Sequence, residues 1–368
     1  MHLTYQFGVW EDAAARQVPC SRAQLPRAHS FNRQRGRRTL RPTATSPILS
    51  VGELLWDLLP SGPRLGGTTT NFAILSARLG DYVALVSRVG EDDFGEQALR
   101  LLDGVVDAAA TRGHFDLSHV QRSQLLPTGT VGVKLDEKGR PRYSIEGPAA
   151  WDEIALTHDL LALVVRASAV YFGTLAQRQN PSRDSIRALV NASSAECVRV
   201  CDVNLRMPFC STETLRWCLR QATVLKISDE ELPEVARLLG MGSPVAAPVE
   251  DDQALTKWAH TAAVALLDMA PRCRMVAITL GPHGSLLANR RGAHRHRGFA
   301  VQVVDTIGAG DAFTAGMVHA FMRGATLEQI NLVSNLCGSF VASQPGATPE
   351  LTVELLEKIE SALGGVAG

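Results

Sequence analysis

The chain has 368 residues, of which 45% are hydrophobic and 20% charged, and its 37 basic and 37 acidic residues cancel at pH 7. That composition supplies one large core or two modest ones and excludes a chain that is disordered throughout. Zero net charge removes the electrostatic case for nucleic acid or an anionic membrane, and no apolar run reaches the roughly 18 residues of a membrane span.

The charge is unevenly placed. Residues 1–46 hold eight Arg and no Lys against Glu11 and Asp12, leaving 29 basic and 35 acidic residues for the remainder. The segment lacks hydrophobic periodicity and is rich in Arg, Pro, Ser and Gln, so a disordered Arg-rich tail is expected there, with one domain over 47–368. Glu11 and Asp12 count against an organelle transit peptide, and the lack of an apolar stretch excludes a secretory signal. The seven cysteines form neither a CxxC pair nor a disulfide framework, so reduced, structural thiols and a soluble cytoplasmic protein are expected.

From residue 47 onward, short β-rich runs alternate with longer amphipathic segments, the pattern of an α/β protein with a mainly parallel sheet and helices on both faces. A strand is predicted at 48–52, a helix at 71–79, a strand at 83–89 and a helix at 95–102. Further strands are predicted at 169–172, 198–203, 224–227, 275–280 and 285–288, with helices at 182–193, 212–221, 230–239 and 252–270 between them. Two stretches break the rhythm, 54–65 and 128–145, the second alternating around a turn at 137–140. They are expected to pair as a small β lid over the strand ends, where open α/β folds bind ligands; an edge hairpin of the main sheet is the alternative.

The segment 303–316, VVDTIGAGDAFTAG, predicts a strand ending in a Gly-Ala-Gly turn, followed by a helix of small apolar residues. Gly308 and Gly310 let the backbone approach a ligand, and the N–H groups of Gly308, Ala309 and Gly310 at a helix start form an anion site suited to phosphate. Asp311 in the first turn would repel that phosphate unless its task were to take a proton; a helix-capping Asp is the alternative. Neither G-x-G-x-x-G nor Walker A is present, which argues against a dinucleotide fold or a P-loop. Asp202, Asn204 and Arg206 follow a predicted strand, and continued alternation would aim all three at the ligand-binding end.

The run Asp305, Thr306, Gly308, Ala309, Gly310, Asp311, Ala312, Phe313 resembles the C-terminal signature of the PfkB sugar kinases, which include ribokinases and fructokinases; Ile307 stands where a second Thr is usual. The resemblance extends over about 48–348, with GGTTTNFA at 66–73 and VSRVGEDDFG at 86–95 as further matches. It implies a ribokinase-like fold, a fructokinase-like member, and ATP-dependent phosphorylation of a sugar hydroxyl with Asp311 as base. It implies a sugar site of Asp57, Gly66, Gly67, Asn71, Asn204 and Arg206, where Arg206 can also meet the transferring phosphoryl group. Arg178, after a strand end, is a candidate for reading an acidic substrate, with a solvent-exposed position as the alternative. Lys226, Thr279, Gly281, Gly284, Ser343 and Gly346 fall on the implied nucleotide side. Glu231 matches the acid that organises Mg2+ through water, although Ser228 replaces the usual Asn of that motif. Asp305 and Gly346 are the candidates for a K+ site, and the lid is the implied surface for a homodimer.

Overall fold

The computed structural model describes residues 46–107, 113–135, 141–241 and 247–364. Residues 1–45 of the predicted tail and the predicted turn at 137–140 lie outside them. The chain begins with β1 (Ile48–Val51), the hairpin of β2 (Leu55–Leu59) and β3 (Gly62–Gly66), α1 (Thr68–Arg78), β4 (Tyr82–Gly90) and α2 (Asp93–Asp107). Next come β5 (His114–Asp116), β6 (Val120–Ser123), β7 (Gly129–Leu135), β8 (Pro141–Ile145), α3 (His158–Val165), β9 (Ala169–Gly173) and α4 (Asn180–Ala192). The middle alternates β10 (Val198–Asp202), α5 (Thr212–Gln221), β11 (Val224–Ser228), α6 (Leu232–Leu239), α7 (Asp252–Met269) and β12 (Met275–Thr279). It closes with β13 (Ser285–Asn289), β14 (Gly292–His296), α8 (Ala309–Met322), α9 (Leu327–Ala342) and α10 (Val353–Leu363).

Ten strands form one sheet in the order β14, β13, β12, β11, β10, β9, β1, β4, β5, with β6 also beside β4. Pairings from β12 to β5 are parallel, while β12–β13 and β13–β14 are antiparallel, so that among the described strands of this sheet β13 alone runs against the rest. Alternation in β9 sends Val170 and Phe172 to one face and Ala169 and Tyr171 to the other. The first face is buried by Leu160, Ile186, Leu215, Val235 and Ala259 of α3 to α7, the second by Phe72, Leu102, Met317, Val333 and Ile359 of α1, α2 and α8 to α10. A sheet covered on both faces explains why its strands read as continuous apolar runs. Helix starts are marked by side-chain caps, as at Ser211, Asp251 and Thr352, and by the Thr326–Gln329 capping box.

Segments 55–66 and 129–145 pair with each other as a separate sheet in the order β3, β2, β7, β8, and do not join the main sheet. One expectation fails. Residues 301–305 do not form a strand before the Gly-Ala-Gly turn, and Val303 and Val304 are 59% and 58% exposed. The edge they would have joined is held by β14, whose polar GAHRH sequence carries no strand signal of its own. The six described cysteines are free and buried. Among the described residues, no helix is long and apolar enough to cross a membrane.

Candidate active site

Because β1, β9, β10 and β11 are parallel, their C-terminal ends lie along one edge, and the start of α8 is brought to them. Gly308 caps α8 with φ +81°, and a Cβ there would stand 2.4 Å from the Ala347 carbonyl oxygen, so the turn requires glycine twice over. Near Gly310 a Cβ would meet only Lys226 Nζ, at 3.4 Å. The first turn of α8 thus presents N–H groups without intrahelical acceptors, with an ammonium beside Gly310, although Ala309 N already donates to Thr306 O at 3.3 Å.

Asp311 accepts a hydrogen bond from Asn71 Nδ2 at 2.8 Å, joining α8 to α1. Burial pushes the Asp311 carboxyl up to about 7; the Asn71 amide and the Lys226 ammonium pull it down, while Asp202 and Glu53 add to the rise. Lys226 and Asp202 are register partners on β11 and β10, and Nζ lies 3.1 Å from Oδ1. Thr314 Oγ1, one turn beyond Asp311, donates to Asp202 Oδ2 at 3.1 Å. Burial alone would lower the Lys226 ammonium, but Asp202, Glu231 and Asp311 hold it above its ordinary value. Asp202, Lys226 and Thr314 therefore form a buried brace under the anion turn.

Glu53 is 3% exposed, and burial raises its carboxyl while Thr69 Oγ1, 3.3 Å away, and Arg206 lower it. Tyr171 stacks on Phe72 with ring centroids 3.9 Å apart, and its hydroxyl is pushed up by burial and by Asp202, Asp311 and Glu53. The Tyr171 hydroxyl and Asn71 Oδ1 are buried without a hydrogen-bond partner, two polar atoms beside the carboxyl cluster.

Around this cluster stand the residues expected for a sugar. Burial lifts Asp57 to about 6, against the pull of Arg206. Its carboxylate lies over Gly66, where a Cβ would come within 2.4 Å of Oδ2. Gly67 has φ +98° and precedes α1. The expected alternation through Asp202, Asn204 and Arg206 does not hold: β10 ends at Asp202 and Asn204 turns to φ +36°. Asn204 Nδ2 donates to Thr68 Oγ1, and Arg206 is left exposed at the rim. The basic partner of Asp202 is Lys226.

Glu231 accepts from Leu205 N with one oxygen and from Ser228 N and Oγ, at 2.7 and 2.9 Å, with the other. It ties the turn after β10 to the end of β11. Oε1 alone keeps a lone pair, which fits contact to a metal-bound water and not a direct ligand. Among the described residues, no three His, Cys, Asp or Glu side chains group as a metal cage. Thr279, Gly281 and Gly284 form the turn between β12 and β13, drawn to the β11 end by Asp229 N donating to Thr279 O at 2.9 Å. Ser343 closes α9, and Gly346 donates its N–H to Asp305 Oδ2 at 3.3 Å. The 343–347 segment thereby packs on the anion turn at Gly308.

Arg178 lies in neither position considered for it. The chain after β9 coils into a single 3-10 turn (Leu175–Gln177), and the guanidinium turns inward to Asp152, donating to both oxygens at 2.8 and 2.7 Å. The two side chains are 4% and 2% exposed, and Trp151 stacks on the cation at 4.1 Å. Sequence reasoning passed over Glu53, Arg64, Tyr171 and Thr314. Glu53, an acid inside the apolar run ILSVGELLW, was the one with a visible signal.

Residues 63–353 match the pfkB family of carbohydrate kinases. Fructokinase-1 of Oryza sativa subsp. japonica is 30% identical over 347 residues, covering 86% of this chain and 98% of its own. A fructokinase of Vibrio cholerae, solved with fructose, ADP and calcium, superposes with a TM-score of 0.64 at 25% identity, over 86% of this chain and 99% of its own. A sugar kinase of Pyrococcus horikoshii solved with ATP gives a TM-score of 0.67 at 24% identity, over 87% of this chain and 100% of its own. With the match spanning most of the chain, the anion turn and Asp311 among it, the chain belongs to the pfkB family of carbohydrate kinases.

Proposed function

We propose that this kinase transfers the γ-phosphoryl group of ATP to a primary hydroxyl of a ketohexose, fructose first, with Asp311 as the base. The observation that carries the reading is a carboxyl lifted to about 7, within the first turn of a helix whose open N–H groups suit phosphate. A relative named fructokinase at 30% identity, and a 25%-identical structure that holds fructose, support the substrate.

In this mechanism Asp57, Asn71 and Asn204 take sugar hydroxyls over the bare backbone of Gly66 and Gly67. Asn71 also orients Asp311, to which it already donates. The sugar O–H proton passes to Asp311 as its oxygen bonds to the γ-phosphorus, the bond to the β-phosphate oxygen breaks, and ADP leaves. N–H groups of Gly308, Ala309 and Gly310, with Arg206, take the charge on the moving phosphoryl group, while the Asp202–Lys226–Thr314 brace fixes the turn. Thr279, Gly281, Gly284, Ser343 and Gly346 line the nucleotide side. Mg2+, with Glu231 reaching it through water, supplies neutralisation of phosphate charge when bound. The small sheet closes over the sugar and excludes water, and its outer face is the surface on which two copies would pair. Residues 47–368 are the kinase unit, and buried, free thiols support a cytoplasmic setting.

The test is ADP formation with Mg2+ across ketohexoses, 2-keto-3-deoxygluconate, ribose and nucleosides, with the Asp311→Ala variant alongside. Fructose-dependent turnover lost in the variant is expected. Binding of ATP or sugar without turnover on any of them would instead mark a silent binder of the same fold.

A further inference from the structure

Asp305 sits just before the anion turn, and its carboxylate is already provided for. Oδ1 accepts the N–H of Ile307 at 3.0 Å, and Oδ2 accepts the N–H of Gly346 at 3.3 Å and Arg64 Nη1 at 3.1 Å. A monovalent cation, which the family resemblance attached to Asp305 and Gly346, does not fit this donor set. Gly346 turns its N–H, not its carbonyl, toward the carboxylate, and a guanidinium stands where the counter-charge would be.

The arginine also comes from an informative place. Arg64 is on β3 of the small sheet, directly opposite Asp57 on β2 in the antiparallel register. Paired residues in such a ladder project from the same face. Asp57, Arg64, Asp305, Ile307, Gly346 and Ala347 wall one crevice between the small sheet and the anion turn. Fixing Arg64 on Asp305 thus fixes the height of Asp57 above the turn that receives phosphate.

We propose that Arg64 is a positioning residue that serves Asp305 as a built-in cation, replacing a monovalent metal ion and latching the small sheet to the anion turn. The inference rests on the kinase reading for its effect on turnover, but not for its effect on cation binding. The Arg64 and Asp305 side chains are 43% and 18% exposed, and an ion pair this wet contributes little to folding, so its removal leaves a folded protein to measure.

The experiment has two arms on the full-length chain. In the first, binding of thallium(I), used alone as a potassium mimic, is followed by its NMR signal. The unaltered protein is expected to bind none, and Arg64→Ala to gain a site that Asp305→Asn in the same chain abolishes. In the second, fructose-dependent ADP formation is measured with tetramethylammonium as the sole monovalent cation and then with added KCl. Wild-type turnover is expected to be indifferent to KCl. Arg64→Ala is expected to raise the sugar KM roughly tenfold with a smaller change in kcat, as for a lost positioning contact. KCl should restore part of that loss, and Arg64→Lys should retain most of the wild-type behaviour. Stoichiometric thallium binding by the wild-type protein overturns the proposal, as does a wild-type requirement for potassium or an Arg64→Ala variant with unaltered sugar KM. If no sugar is turned over, the kinase reading fails, and the thallium arm alone still decides whether Arg64 occupies the cation position.

Discussion

Replacing Asp311 by Asn tests the site on two independent scales. The Asp311→Asn variant keeps the shape of the side chain but cannot accept the sugar proton, so kcat should fall by about two to four orders of magnitude, the usual range for a lost general base. The same change should stabilise the empty protein. Asp311 is held at about 7 against an ordinary 3.8, roughly three pH units, which sets an upper limit of about 4 kcal/mol. Because the residue is only half-buried in a cleft open to water, about 1–3 kcal/mol is the realistic range. The sign follows from linkage: with the folded value raised, the contribution of Asp311 to stability is fully present below the ordinary carboxylate range and is lost as pH rises through about 7. Urea unfolding of both proteins at about pH 4, 6 and 8 should show the advantage of the variant absent at the lowest pH and largest at the highest. In steady state, wild-type kcat/KM should rise with pH through about 7. A variant turning over within about tenfold of wild type, or one no more stable at pH 8, would refute the assignment of Asp311 as a base with a raised carboxyl.

Gly308→Ala should destabilise the chain by about 2 kcal/mol or more and abolish turnover, because φ is +81° and the added Cβ would stand 2.4 Å from Ala347 O; urea unfolding and the kinase assay check it. Arg178→Ala leaves the Asp152 carboxylate buried and unpaired, at a cost of about 3–5 kcal/mol in unfolding experiments, while the sugar KM of the folded fraction stays within about twofold. Removal of residues 1–45 should leave sugar-dependent ADP formation within roughly a factor of two.

The strands of the main sheet were legible because each is an apolar run between two buried faces, and the predicted strand at 198–203 differs from β10 by one residue. The anion turn was legible because its glycines and Asp311 lie within four consecutive residues. What escaped depends on register or on distant chain. Nothing in the sequence says that Asp202 stands beside Lys226 until β10 and β11 are paired, or that Arg64 faces Asp57 until the hairpin is closed. Arg178 deceived for the opposite reason: its partner Asp152 precedes it by 26 residues, and burial of that pair leaves no local trace. The edge strand β14 hid because its GAHRH sequence is polar, and the strand expected ahead of the Gly-Ala-Gly turn is instead exposed chain at Val303 and Val304.

The small sheet is built from two excursions of the chain, one between β1 and α1 and one between β6 and the 150–153 turn, joined by parallel pairing of β2 with β7. It is therefore sewn into the body at four chain crossings, and Trp56 Nε1 adds a tether to the carbonyl of Phe94 at 3.0 Å. A plate held this way cannot be exchanged piece by piece. Transplanting one excursion from a relative would break the β2–β7 ladder, whereas both together would carry Asp57 and its register partner Arg64 as a unit. In engineering terms, the two excursions are a single replaceable part, to be exchanged only as a pair and with the Arg64–Asp305 contact kept.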